Sequence, residues 1–223
     1  MIKYALAFTL LIVLASCAAK AGDPFVSAVK DVRPSVVLLT MQVPSENKKS
    51  WDDAYATGVV VASGTWGSDI LTVQHAVDRA RNLHVTIENK RRVAGHVTSL
   101  NSQLDIAMVT TKALLPVAKL GDSSALVAGE EIGVIGYPIP DAFEEEGLGL
   151  ATSVDSGRIS SFRKHALELN LPIVPGESGG PVFTNDGSVI GLAESRFDEE
   201  RSIGFALPIN ETRAFLHQHA HGL

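Results

Sequence analysis

The chain consists mainly of short β-branched and apolar runs that are separated by turn residues about every ten positions. Regular short strands without helical spacers between them predict an all-β sandwich or barrel. The run 181–193 is split by Asn185-Asp186-Gly187, which is typical of a hairpin turn. The remaining runs are 35–43, 58–63, 69–74, 83–88, 93–100, 105–110, 131–137, 151–161, 166–171 and 202–209.

Roughly eleven or twelve strands are too many for one small barrel. The stretch 113–130 has few strand features and divides the strands into two groups. We therefore expect two antiparallel barrels of about six strands each, at about 33–115 and 120–209. A short helix is expected from Phe25 to before Pro34, and a C-terminal helix over 210–221 that Asn210 caps. The polar stretches 44–56 and 139–149 are predicted to be loops.

The overall composition restricts the function. Hydrophobic residues make up 45% and charged residues 20% of the chain, as in a packed globular protein. The 19 Lys and Arg residues against 25 Asp and Glu residues give a formal net charge of −6, which argues against nucleic acid as the main partner. The single cysteine excludes both a disulfide within the chain and a multi-cysteine metal site.

The first sixteen residues have the pattern of a targeting segment. Lys3 precedes an apolar run from Tyr4 to Ala15, which is too short to span a bilayer comfortably. The run ends in Leu14-Ala15-Ser16-Cys17, which resembles a bacterial lipobox. We expect residues 1–16 to be a lipoprotein signal peptide, Cys17 to be lipidated, and 17–24 to be a linker to a domain over 25–223. The alternative is simple secretion with cleavage after Ala21.

One glycine-rich turn has the composition of a nucleophile site. Gly176-Glu177-Ser178-Gly179-Gly180-Pro181 places a serine among glycines just before a strand. Glycines allow backbone N–H groups to approach a ligand closely, as an oxyanion hole requires. A serine hydroxyl is a weak nucleophile, so it needs a general base and a group that orients the base. Alone, the pattern could equally be an ordinary glycine-rich turn.

Two further residues fit the roles of base and orienting group. Of seven histidines, His75 is the one that follows an apolar strand directly. Asp105 immediately precedes the apolar strand 106–109, where a carboxylate is costly unless a partner satisfies it. Their structural alternatives are a core histidine bonded to the backbone and a turn aspartate bonded to local N–H groups.

Taken together, the three motifs resemble those of chymotrypsin-fold serine proteases, in the same order His, Asp, Ser. The Asp motif and the late segment 203–208 are most similar to the bacterial HtrA (Deg) branch, and the likeness covers roughly residues 25–216. The motifs that carry this resemblance are Thr72-Val73-Gln74-His75-Ala76, Leu104-Asp105-Ile106-Ala107 and Gly176-Glu177-Ser178-Gly179-Gly180-Pro181.

The resemblance implies two chymotrypsin-like barrels and an acyl-enzyme mechanism. Ser178 would be the nucleophile, His75 the general base and then acid, and Asp105 the orienting group. The N–H groups of Gly176 and Ser178 would form the oxyanion hole. The stretch 171–175, which includes Pro172 and Ile173, carries no charge for the base of a substrate pocket, so we expect apolar rather than basic residues before the scissile bond. The opposite wall is expected at Ala193, Glu194, Ser195 and Arg196, where Arg196 would either narrow the pocket or attract an acidic side chain, or else point into solvent.

The resemblance also sets expectations beyond the site. We expect a serine endopeptidase acting on proteins or peptides, with no cofactor and no metal. It would be lipid-anchored in the bacterial cell envelope, at the outer membrane facing the periplasm, or else soluble and secreted. HtrA proteins carry PDZ modules after the protease domain, and we expect none here. Glu177 stands where animal digestive enzymes have an Asp that pairs with a freed N-terminal amine, so we expect activity without that cleavage.

Other functions fit the sequence less well. An α/β-hydrolase esterase needs the order Ser, Asp, His and a helix after the serine, whereas Pro181 and an apolar run follow Ser178. A catalytically silent protease fold that binds envelope proteins remains the main alternative. The histidines at 217, 219 and 221 have no third strong ligand nearby, so we interpret them as part of a surface helix.

Overall fold

The computed structural model describes residues 22–45, 47, 49–87, 91–194 and 203–222. Twelve described strands form two closed, antiparallel six-stranded barrels, which confirms the predicted fold class. In the first barrel the strands neighbour one another in the order β1-β2-β3-β6-β5-β4, and in the second in the order β10-β11-β12-β9-β8-β7. The strands are β1 (Val36–Pro44), β2 (Trp51–Gly64), β3 (Gly67–Val73), β4 (Arg81–Ile87), β5 (Arg91–Asn101), β6 (Ile106–Thr111), β7 (Glu131–Gly136), β8 (Ser153–Arg163), β9 (Ala166–Leu169), β10 (Pro181–Thr184), β11 (Val189–Glu194) and β12 (Gly204–Pro208).

The helices lie outside the barrels and at their edges. Helix α1 (Pro24–Val32) precedes the first barrel, and the Asp23 carboxylate caps it by accepting from the N–H of Phe25 at 2.9 Å. Two short helices follow, α2 (Gln74–Val77) and α3 (Pro140–Glu145), and α4 (Ile209–His219) follows the second barrel. None of the helices in the described part of the chain is long and apolar enough to cross a membrane.

The burial of strand β1 on both faces explains why its sequence is apolar at nearly every position. Val37 and Leu39 point into the interior of the first barrel, whereas Val36 and Leu38 join a cluster between the two barrels. Because successive side chains point to opposite faces of a strand, burial of both faces removes the usual polar alternation. The cluster between the barrels also includes Phe183 of β10. Apolar packing therefore joins the two barrels along the seam where the candidate site lies.

Three sequence expectations about local structure were wrong. Strand β2 begins at Trp51, so the predicted loop over 44–56 is shorter than expected. The predicted loop over 139–149 contains α3. Asn210 does not cap α4, which begins one residue earlier; its side chain instead donates to the Asp122 carboxylate at 2.6 Å. For β2 and Asn210, a contact with another part of the fold, with β1 and with Asp122 respectively, outweighs the local composition.

The C-terminal histidines bond to the first barrel. His219 Nδ1 lies 3.0 Å from the Ser99 hydroxyl. The main-chain N–H and Nδ1 of His221 lie 2.8 and 2.9 Å from the fully buried carboxylate of Asp69. The described residues contain no group of three or more His, Cys, Asp or Glu side chains that could hold a metal ion. These histidines therefore join α4 and the residues after it to β3 and β5.

Candidate active site

His75 and Asp105 meet at the ends of two paired strands of the first barrel. Strands β3 and β6 are antiparallel neighbours in which Val73 pairs with Ile106, so the residues just beyond these positions are adjacent. Asp105 Oδ2 lies 2.5 Å from His75 Nδ1, and Asp105 Oδ1 accepts from the His75 main-chain N–H at 2.8 Å. Both carboxylate oxygens therefore hold the same histidine, and the ring turns its Nδ1 edge toward Asp105.

The backbone at Asp105 is held in an unusual conformation. Its φ is +52°, in the left-handed region that few residues other than glycine adopt and that aspartate tolerates better than most. The Asp105 carbonyl accepts from the N–H of Gln74 at 3.0 Å, so main chain and side chain both bond to the start of α2. About 49% of the His75 side chain and 35% of the Asp105 side chain are exposed. The pair thus lies at a surface that a substrate can reach.

Ser178 lies in the turn between β9 and β10, and two glycines make this turn possible. Gly176 and Gly179 have φ of +94° and +86°. A Cβ at Gly179 would lie 2.3 Å from both the Thr57 carbonyl and the Thr72 hydroxyl. No side chain fits at that distance, so the glycine allows the turn to lie directly against β3. Thr72 is three residues before His75, so this contact brings Ser178 and His75 to the same seam.

Hydrogen bonds orient the peptide groups of this turn. The Pro175 carbonyl accepts from the N–H of Ile139 at 2.7 Å, and the Glu177 carbonyl accepts from the N–H three residues further on at 2.8 Å. The described chain has no cis peptide bond. Since C=O and N–H point in opposite directions in a trans peptide, the N–H groups of Gly176 and Ser178 point away from these partners. Two main-chain donors are thereby held apart from the interactions within the turn.

Glu177 is buried inside the turn and has a local partner. Only 2% of the residue is exposed, and Oε2 accepts from the N–H of Val174 at 3.0 Å. Burial raises the pKa of the Glu177 carboxyl to about 7, and the nearby Asp155 carboxylate adds to this rise, while the Val174 N–H opposes it. At neutral pH the Glu177 carboxyl is therefore present as comparable amounts of its neutral and charged forms.

The residues expected to form the substrate pocket are partly described. Ile173 and Ala193 are buried together in the core of the second barrel, whereas Pro172 is exposed. Glu194 ends β11 with 1% of its surface exposed, and strand alternation places it on the same face as Leu192. Two further expected residues, Ser195 and Arg196, and the expected lipidation site, Cys17, lie outside the described residues.

Sequence reasoning missed the residue that joins the two halves of the site. Thr57 on β2 donates from its N–H to the Ser178 carbonyl at 3.0 Å and from its hydroxyl to the Gly176 carbonyl at 2.7 Å. A threonine inside an apolar strand carries no local signal of such a role. The contact joins residues 119 positions apart, so only the packing of the two barrels reveals it.

Comparison with known proteins identifies the family. The family described as "Trypsin-like peptidase domain" matches residues 56–192, which is more than half of the chain, so the chain belongs to the trypsin-like peptidases. The two closed six-stranded barrels are the architecture that the resemblance to this family implies.

The chain resembles several bacterial proteins that are named as proteases. It is 33% identical over 160 residues to the putative serine protease HhoA of Synechocystis sp., covering 65% of this chain and 38% of the relative. It is 27% identical over 210 residues to the serine protease Do-like HtrB of Bacillus subtilis, covering 85% and 46%. It is 31% identical over 177 residues to the magnetosome formation protease MamE of Magnetospirillum gryphiswaldense, covering 71% and 21%. The chain thus spans less than half the length of each of these relatives.

Proposed function

We propose that the protein is an endopeptidase that cleaves proteins through the triad Ser178, His75 and Asp105. The observation that carries this proposal is the two-point contact between the Asp105 carboxylate and His75, at 2.5 and 2.8 Å. Such a contact selects one imidazole tautomer and stabilises the imidazolium that forms when the ring takes up a proton. A serine held in a tight glycine turn at the same seam supplies the nucleophile.

The proposed reaction has two steps. First, His75 accepts the proton of the Ser178 hydroxyl as its oxygen attacks the scissile carbonyl, and then donates that proton to the leaving amine as the peptide bond breaks. Second, water loses a proton to His75 and attacks the acyl-enzyme, and the proton returns to Ser178 as the acid product leaves. The N–H groups of Gly176 and Ser178 stabilise the oxyanion in both steps.

The expected substrate class is proteins with an apolar residue before the scissile bond. The support is the sequence that leads to Ser178, residues 171–175, which carries no charged side chain for the base of a pocket. A peptide library cleaved by the enzyme reads out this preference directly.

We also propose that Cys17 is lipidated and anchors the enzyme in the bacterial cell envelope, at the outer membrane facing the periplasm. The support is the lipobox-like sequence that ends at this single cysteine. Expression with a radiolabelled fatty acid should label the wild-type protein and leave Cys17→Ser unlabelled. Equal labelling of the two proteins contradicts the anchor, and an unlabelled wild type favours simple secretion.

The decisive test compares the purified wild type with Ser178→Ala in casein and peptide-library assays. We expect the substitution to lower kcat by about 10⁵–10⁶-fold, because no other group supplies the nucleophile. A fluorophosphonate probe should label the wild type alone. Activity that survives in Ser178→Ala contradicts the triad. Absence of both activity and labelling in the wild type favours the catalytically silent binding module.

A further inference from the structure

Thr57 contacts the Ser178 turn from the opposite barrel, with its main chain and its side chain. Its N–H donates to the Ser178 carbonyl at 3.0 Å, and its hydroxyl donates to the Gly176 carbonyl at 2.7 Å. Thr57 is fully buried. The carbonyls on both sides of Glu177 are therefore held by one residue of β2.

The remaining polar groups of Thr57 extend this contact in two directions. The hydroxyl accepts from the N–H of Tyr137 at 3.0 Å, at the end of β7. The Thr57 carbonyl accepts from the Thr72 hydroxyl at 2.7 Å, on the strand that leads to His75. A hydroxyl has one proton and two acceptor lone pairs, so this hydroxyl can make both of its bonds at once. The result is a continuous hydrogen-bonded relay from β3 to the Ser178 turn.

The hydroxyl holds the peptide between Gly176 and Glu177 from its carbonyl side, while the Glu177 N–H of the same peptide donates to the Val174 carbonyl at 3.1 Å. Gly176 lacks a Cβ, so its backbone has access to more conformations than that of any other residue. The bond from Ile139 to the Pro175 carbonyl orients the peptide before Gly176, and the Thr57 hydroxyl orients the peptide after it. The Gly176 N–H belongs to the first of these peptides, so the Thr57 hydroxyl acts on it by fixing the backbone on the other side of the Gly176 Cα.

We propose that Thr57 is a positioning residue: it holds the peptides that follow Gly176 and Ser178, and thereby keeps the oxyanion-binding N–H groups of these two residues in their working orientation. The inference rests on the proposed function, since it assigns a purpose to the Gly176 and Ser178 N–H groups in that reaction. It also means that the second barrel presents these donors correctly only while the first barrel is packed against it. Thr57 itself does not touch the reacting atoms.

The test replaces the hydroxyl with a methyl group of nearly the same size. In the full chain, Thr57→Val should lower kcat by about 10²-fold and change KM by less than about 3-fold, because an oxyanion donor acts mainly in the transition state. Thr57→Ser keeps the hydroxyl and should retain kcat within about 3-fold of the wild type. Rates are expressed per active site by titration with a fluorophosphonate, so that misfolded molecules are not counted.

A matched control separates this role from a general loss of stability. Thr111 is a buried threonine of the same barrel whose hydroxyl donates to the Ala94 carbonyl at 2.8 Å. Thr111→Val removes a similar bond away from the turn and should leave kcat per active site unchanged. If Thr57→Val does not fold, Thr72→Val removes the preceding bond of the relay and should lower kcat at constant KM by a smaller factor.

The outcomes distinguish this inference from the proposed function. Wild-type activity that survives Ser178→Ala overturns both. Ser178-dependent activity that Thr57→Val leaves intact overturns the inference alone. An equal loss in Thr57→Ser and Thr57→Val also overturns it, because the hydroxyl would then not be the group that matters.

Discussion

The two halves of the site differ in exposure and in what holds them in place. In the first barrel, His75 and Asp105 are partly exposed and hold each other through side-chain contacts. In the second barrel, Ser178 and Glu177 are buried in a turn whose shape depends on glycine conformations and main-chain hydrogen bonds. We therefore expect changes in the first half to impair the chemistry with little effect on folding. Changes in the second half should affect both the chemistry and the folding.

The largest expected effect tests the first half. Asp105→Asn keeps the shape of the side chain but turns an amide toward Nδ1, which favours the wrong imidazole tautomer. We expect kcat to fall by about 10⁴-fold. The free energy of unfolding should change by about 1 kcal/mol or less, because the pair is partly exposed to solvent.

Steady-state kinetics and urea unfolding measure these two quantities. Asp78→Asn is a matched control, because Asp78 is also near His75 but pairs with exposed Arg79 at 3.2 Å. This control should leave kcat within about 2-fold of the wild type, since an exposed ion pair contributes little. A fall of less than about 10-fold in Asp105→Asn would contradict the orienting role, since a positioned base contributes at least 10²-fold.

The next effect tests the second half. Gly179→Ala adds a Cβ that would lie 2.3 Å from two oxygen atoms, at a φ of +86°. We expect the free energy of unfolding to fall by about 3 kcal/mol, from overpacking and backbone strain together, and activity to fall as the turn shifts.

Gly129→Ala provides the matched control for Gly179→Ala. Gly129 has nearly the same φ, +87°, but no heavy atom within 4 Å of the added Cβ. Gly129→Ala should lower the free energy of unfolding only by the cost of the backbone conformation, about 1 kcal/mol. Urea unfolding of both variants separates the steric cost from the backbone cost. Equal destabilisation of the two variants would contradict the close packing of Gly179 against Thr57 and Thr72.

The last effect, comparable in size and spread over several pH units, concerns the charge of Glu177. Burial raises its folded-state pKa to about 7 from the usual 4.5, so the folded protein binds more protons than the unfolded chain between these values. Stability should therefore be highest below pH 4.5 with respect to this group, fall as pH rises to about 7, and level off above it. The total loss should be on the order of 3 kcal/mol.

Unfolding experiments between pH 4.5 and 8 test the Glu177 prediction. Glu177→Gln should abolish this part of the pH dependence. Glu130→Gln is matched, because Glu130 likewise accepts from the N–H three residues before it, at 3.0 Å, but is less buried. Glu130→Gln should leave the pH dependence of the free energy of unfolding unchanged. The same slope in Glu177→Gln as in the wild type would mean that another group titrates.

Some features of the fold and of the site could be predicted from the sequence, and others could not. The strand pattern was sufficient for two six-stranded barrels, because burial on one or both faces leaves a signal in each short run. His75, Asp105 and Ser178 could be selected because each lies beside a local feature, either a strand end or a glycine turn. The start of β2 could not be predicted, since pairing with β1 overrides weak local preferences.

The sequence alone therefore determined the class of fold and the three side chains that we propose for the chemistry. These depend on local patterns of polarity and on residue types that suit one reaction. Tertiary structure alone decided that the Glu177 carboxyl is buried, and that Thr57 links the two barrels. Both facts depend on how the chain packs, and a bond between residues 119 positions apart has no counterpart in the local sequence.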